Sequence, residues 1–264
     1  MRTKREPSAT YVFCLVQSAR PPSLRGVPDS VPGAGAPRLL AIDRGLWAVV
    51  ADAPLDRFSS ERLQEDLQDL ETVSRHALAH ASVVEFFFRK APVIPLQLFT
   101  LFSEDARAMR QLASRRAALT KLFARLRGLE EWGVRIIVDP AAAEAAVIAR
   151  GTPGGSSAPS GREYLQTKKR LLDQSAAPPK AAVKLAHAAF TSLARLAAKV
   201  RKQPFPPSGQ NRPFVTGGSF LVKAAKRAQW NKRVAALTTS LSKHGHRLEV
   251  NGPWPPYHFA SPGK

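Results

Sequence analysis

Two periods alternate along this chain. Tyr11-Val12-Phe13-Cys14-Leu15-Val16 is a short unbroken apolar run, which reads as a strand. Arg38–Ile42 and Leu46–Ala53 flank Asp43-Arg44-Gly45, a turn composition that predicts a hairpin. Leu63, Leu67, Leu70, Val73, Ala77, Leu78, Ala81 and Val84 then recur at helical spacing, with Arg62, Glu65, Asp66 and Asp69 between them. This predicts one long helix, capped by Ser59 or Ser60 and ended by Pro92. Val93–Leu98 reads as a strand, and Pro95 inside it argues for an edge or a bulge. A second helix is expected from about Ser103 to Gly128, with Met109, Leu112, Leu119, Leu122, Phe123 and Leu126 on its apolar stripe. Trp132–Val138 is the next strand.

The pattern changes after it. Gly151–Gly161 is rich in Gly, Ser and Pro and reads as a flexible loop. Glu163–Gln174 and the basic segment Lys180–Arg201 read as helices, and Pro204–Pro213 as a loop. Phe220–Val222 is a strand, and Gln229–Lys243 a helix carrying Trp230, Val234, Leu237 and Leu241. A last strand runs into Gly252-Pro-Trp-Pro-Pro-Tyr-His-Phe259. Each proline fixes φ near −65° and removes a donor, so this segment is an extended edge or a rigid turn. Trp254, Tyr257 and Phe259 on so stiff a backbone would lock the terminus onto a core. From Trp132 the order is β–α–β–α–β, with room for a further strand near Pro213–Thr216, which suits a modified ferredoxin-like domain. The fold class is α+β in two domains. Residues 1–9 form a disordered tail, 10–127 an N-terminal α+β domain, and 128–264 a C-terminal ferredoxin-like domain with its flexible loop at 151–161.

Several blocks carry a family resemblance. The proline–aromatic terminus, the strand Tyr11–Val16, Leu46-Trp-Ala-Val-Val-Ala-Asp-Ala-Pro-Leu55, His80-Ala-Ser-Val-Val-Glu85, Pro95-Leu-Gln-Leu-Phe-Thr100, Glu131-Trp-Gly-Val-Arg135, Gly161-Arg-Glu-Tyr-Leu165 with Lys168, and Phe220-Leu-Val-Lys223 occur in that order. Together they resemble the gas vesicle protein GvpF/GvpL family from about Tyr11 to Phe259. The chain departs from the family pattern at Ala81, where a Glu is usual, and at Gln97 and Phe99, where the motif has Arg and Gly. The resemblance implies two α+β domains and a minor, non-enzymatic gas vesicle protein. It implies work in vesicle assembly at that cytoplasmic organelle, on the gas-facing side of the shell. The implied partners are the main shell protein (GvpA-like) and other minor gas vesicle proteins. It supplies no residue-level map of partner binding.

Composition adds one feature that the resemblance does not predict. The net charge is +20 on 264 residues. From Gly151 onward 19 Lys/Arg face three acids, whereas residues 1–150 carry 21 against 17. A surface of that kind attracts polyanions. Lys180, Lys184, Lys199, Arg201, Lys202, Lys223, Lys226, Arg227, Lys232 and Arg233 could form a phosphate-binding face, with Trp230 available for stacking. A polyanion- or nucleic-acid-binding module in the C-terminal half is therefore the alternative function. No helix-turn-helix, aromatic RNP motif or zinc finger accompanies it, so no specific nucleic acid is expected. The single cysteine, Cys14, excludes an internal disulfide and any Cys-based zinc site, and reads as a small buried hydrophobe. No run of 18 apolar residues suggests a membrane span.

Candidate chemistry is sparse. His76 and His80 stand four apart, the spacing for a shared metal, but Ala-Leu-Ala lies between them and no third ligand is near, so a structural pair is expected. His244 and His246 straddle a helix end, where the dipole favours a cation. Glu130-Glu131 reads as adjacent solvated carboxylates before a strand. No phosphate-cradling loop and no Gly-x-Ser-x-Gly is present. No catalytic, metal or cofactor residue is assigned, and no enzyme activity is expected.

Overall fold

The structure, a computed structural model, describes residues 7–139, 142–143, 180–202 and 214–260. The expected loops at 151–161 and 204–213 and the expected helix Glu163–Gln174 lie outside them. Contacts divide the chain into two compact units, one running to Gly128 and resuming at Trp254, the other Leu129–Pro253. The terminal segment thus clusters with the N-terminal unit, not with the domain expected to span 128–264.

The first unit is built on β1 (Ser8–Gln17). Residues 8 and 9, expected in a disordered tail, already pair with Pro54 and Ala53. β2 (Arg38–Asp43) and β3 (Leu46–Pro54) form the expected hairpin, and Gly45 supplies the positive φ (76°) of its turn. The sheet order is β2-β3-β1-β4, where β4 is Val93–Pro95, and β5 (Leu101–Phe102) also pairs with β1. Every residue of β1 from Ala9 to Val16 is buried, because both of its faces are covered. Tyr11 and Phe13 meet the helix side, while Thr10 donates to Asp105 on the other. Cys14 lies fully buried in the same cluster as Tyr11 and Phe13, and burial pushes its thiol pKa up.

The long helix expected from Ser59 is three pieces: α1 (Leu55–Phe58), α2 (Ser60–Asp66) and α3 (Leu70–Phe88). Ser59 caps α2 by accepting from the Arg62 amide. The chain then restarts because Asp69 accepts from the amides of Glu71 and Thr72, satisfying donors that no helix interior would leave open. The second expected helix divides likewise into α4 (Asp105–Ser114) and α5 (Arg116–Leu126), and Gly128 (φ 66°) follows α5 as the chain leaves the helix.

The second unit holds β6 (Leu129–Val138), α6 (Lys180–Ala194), β7 (Lys199–Lys202), β8 (Phe214–Lys223), α7 (Arg227–Ser242) and β9 (His246–Trp254). Its sheet order is β7-β8-β6-β9. Lys199–Arg201, expected at the end of a helix, belongs instead to the edge strand Lys199–Lys202. The ladder explains this: Lys199 pairs with Leu221, Lys202 with Gly218, and the Ala198 amide donates to the Leu221 carbonyl at 2.7 Å. The core gathers Trp132, Val134 and Ile136 of β6, Phe220 and Val222 of β8, Phe190 and Leu193 of α6, and Trp230 and Leu241 of α7.

Candidate partner-binding surface

The phase of α3 decides what the first unit presents to solvent. Its buried side is His76, His80, Val83, Val84 and Phe87. At 100° per residue, positions two apart face opposite ways, so Leu78, between the two histidines, points outward. Leu78 is 69% exposed, Leu70 79% and Leu67 58%. Three members of the leucine stripe, at the α2–α3 junction and along α3, are thus exposed, and are called the leucine ridge below. Glu61, Arg62, Glu65, Asp69 and Glu71, in the same stretch of sequence, are exposed as well.

A hydrogen-bond network fixes that phase. The His80 Nε2 faces the Leu96 carbonyl (3.1 Å), so it carries the proton. Nδ1 is then the acceptor for the Tyr11 hydroxyl (2.8 Å). That hydroxyl oxygen in turn accepts from the Phe99 amide (3.3 Å). With His80 neutral, the Tyr11 hydroxyl both donates and accepts, and every link is satisfied. Burial lowers its pKa to about 4 and pushes that of Tyr11 up. His76 has its Nδ1 2.9 Å from the Thr72 carbonyl, and its ring lies 5.4 Å from that of Phe99. The pair is therefore core material, with both His80 nitrogens already engaged. Phe99 has φ 60°, left-handed for a bulky aromatic, where the family motif carries glycine. Gln97 is exposed and Ala81 half-buried.

The terminal segment is anchored in this unit. Tyr257 packs on its core with its ring 6.5 Å from that of His80, and Phe259 is buried, its carbonyl accepting from Arg125 at 3.3 Å. Tyr257–Phe259 forms one 3₁₀ turn, following the extended Gly252-Pro253-Trp254 of β9. Trp254, expected to help lock the terminus, is 43% exposed.

The other candidates separate. Glu130 and Glu131 are not solvated residues ahead of a strand; both are buried inside β6 and, as strand neighbours, point to opposite faces. Glu130 forms a two-pronged ion pair with Arg227. His246 is buried, with Nδ1 2.8 Å from the His244 carbonyl and Nε2 2.9 Å from that of Ala182, tying β9 to α6. Trp230 is fully buried against Trp132 and Phe220, so it offers no stacking surface. Of the basic set, Lys180 and Lys184 are on α6, Lys199, Arg201 and Lys202 on β7, Lys223 ends β8, and Lys226, Arg227, Lys232 and Arg233 lie at or within α7.

The leucine ridge escaped sequence reasoning because apolar recurrence alone assigned every leucine to one stripe. The signal that could have found it is Tyr11 in the central strand together with a histidine pair at i and i+4, polar groups that can satisfy one another only on the core side.

Comparison with known proteins agrees over almost the whole chain. A family model described as gas vesicle synthesis protein GvpL/GvpF matches residues 9–261. Gas vesicle protein L of Streptomyces sp. (strain CB03234) is 30% identical over 244 residues, 89% of this chain and 87% of that protein. Gas vesicle protein F of the same strain is 26% identical over 95% of this chain and 99% of its own length. The crystal structure of GvpF from Anabaena sp. PCC7120 superposes with a TM-score of 0.68 at 17% identity, covering 97% of this chain and 98% of that one. GvpF from Microcystis aeruginosa gives 0.62 at 15%, covering 96% and 99%. At such identities the structural likeness establishes the fold alone.

Proposed function

Since this chain belongs to the gas vesicle synthesis protein GvpL/GvpF family, we propose that it is a non-catalytic factor of gas vesicle formation that binds the main shell protein through the leucine ridge of α2 and α3. The observation that carries this is the exposure of Leu67, Leu70 and Leu78 within twelve residues, beside a core that closes fully around His80. Single exposed leucines are ordinary, but three within one charged stretch have the composition of an interface. A small hydrophobic shell subunit supplies the matching chemistry. Covering what these leucines leave exposed contributes roughly 1–2 kcal/mol each, enough to decide capture at micromolar concentrations.

The proposal places the chain at the gas vesicle. In the second unit, the β–α–β–β–α–β order of the described elements supports a ferredoxin-like fold. The test is co-expression with the main shell protein followed by nuclease-treated affinity capture. L70S/L78S should lose the shell protein while keeping its far-ultraviolet circular dichroism. Equal capture by this variant would overturn the assignment of the ridge.

A further inference from the structure

We propose that α6 and the adjoining edge strand β7 form a sequence-independent binding face for the phosphodiester backbone of nucleic acid. The proposal stands apart from the shell-protein role and uses the other unit. Between Lys180 and Leu248 there are 14 Lys/Arg and no Asp or Glu. Lys180, Lys184, His187, Thr191 and Arg195 follow one another at steps of four, three, four and four, so they share one side of α6, and all are exposed. Lys184, His187, Ala188, Thr191, Ser192 and Arg195 line an open depression of about 490 Å³. Lys202 of β7 projects over the Phe190 ring of the same helix, its ammonium 5.6 Å from the ring centre. Among the described residues no carboxylate pairs with Lys184, Arg195 or Lys202.

The chemistry of the lining selects the ligand. Two cations and two hydroxyls over some 16 Å of helix match a row of phosphate oxygens, which take both kinds of donor. A protein partner would be held by aromatic or aliphatic anchors, and this face offers only Ala188. Trp132, Phe190, Phe220 and Trp230 are all buried, so none of these rings supplies base stacking. The contact therefore reads charge and backbone, not sequence.

The experiment is fluorescence anisotropy of the full-length chain with a labelled mixed-sequence single-stranded RNA, its DNA counterpart and a DNA duplex, from about 50 mM salt upward. Competition by vesicles of anionic lipid runs in parallel. All three oligonucleotides should bind, with affinity falling steeply as salt rises. K184A/R195A should weaken binding on the order of tenfold and lower the single-strand salt slope by about 1.4, at about 0.7 per phosphate contact. A charge-matched control, R44A/K121A, removes two cations from the first unit and should change neither quantity. Equal loss in both double variants would reduce the effect to net charge and overturn the site. Retention by vesicles with no oligonucleotide binding would overturn the ligand.

Discussion

Phe99 carries a backbone conformation that its side chain opposes, and substitutions there should invert a familiar order. Its φ of 60° brings Cβ against the following carbonyl, at a cost of roughly 1–2 kcal/mol for any residue but glycine. The ring offsets this by packing on the core and meeting His76 at 5.4 Å, while the amide donates to Tyr11. F99A keeps Cβ and loses the ring; F99G loses both. Comparing these two variants cancels the ring and isolates the backbone. At an ordinary position alanine is more stable than glycine by about 0.5–1 kcal/mol. Here relief of the left-handed strain exceeds that entropy, so F99G should be more stable than F99A by about 0.5–1 kcal/mol. Urea unfolding in a W132F/W230F/W254F background, followed by the fluorescence of the remaining Trp47, reads the difference in midpoint at constant slope. If F99A is as stable as F99G or more so, the position is not left-handed in solution and the account of the Tyr11–His80–Phe99 network fails with it.

Other outcomes follow from the same contacts. His80 is held below its ordinary pKa, at about 4, so between about pH 6.5 and 4 the unfolded chain takes up a proton that the folded one refuses; the stability this group contributes is full above pH 6.5 and falls by about 3 kcal/mol across that window. H80Q should flatten the acid slope of a urea-midpoint-versus-pH series even if it lowers the whole curve. R227A leaves the Glu130 carboxylate buried without its cation and should cost on the order of 2 kcal/mol in chemical denaturation, whereas E130Q/R227Q should recover part of the loss. At Gly218 an added Cβ would lie 2.5 Å from the Arg201 carbonyl oxygen, so G218A should detach β7 and speed amide exchange at Ala198, with a stability loss of about 1–3 kcal/mol.

Local chemistry made the β1 run, the Asp43–Gly45 turn and the Gly128 helix end legible, because each depends on residues within a few positions. The terminal aromatics were half legible: stiffness foretold anchoring of Tyr257 and Phe259, but not that Trp254 would stay outside. Most of the errors are cases where tertiary partners decide, and one is a local cap. Lys199–Lys202 is helical by composition and a strand by pairing with Leu221 and Gly218. Asp69 reads as an interior polar residue until its two amide contacts show it restarting the helix. Glu130 looks solvated until Arg227 covers it. On α3, Leu70 and Leu78 are more hydrophobic than His76 and His80, so hydrophobicity alone picks the wrong side; the hydroxyl of Tyr11, 69 residues away, turns His80 inward and leaves Leu78 outside.

The measurement closest to the central claim is capture of the co-expressed main shell protein by the intact chain and by L70S/L78S, with K184A/R195A as the control on the other unit. The account predicts retention by the intact chain and by K184A/R195A, and loss by the leucine variant with its fold preserved. Retention by all three would contradict the ridge as the binding surface, and retention by none would contradict the shell protein as the partner.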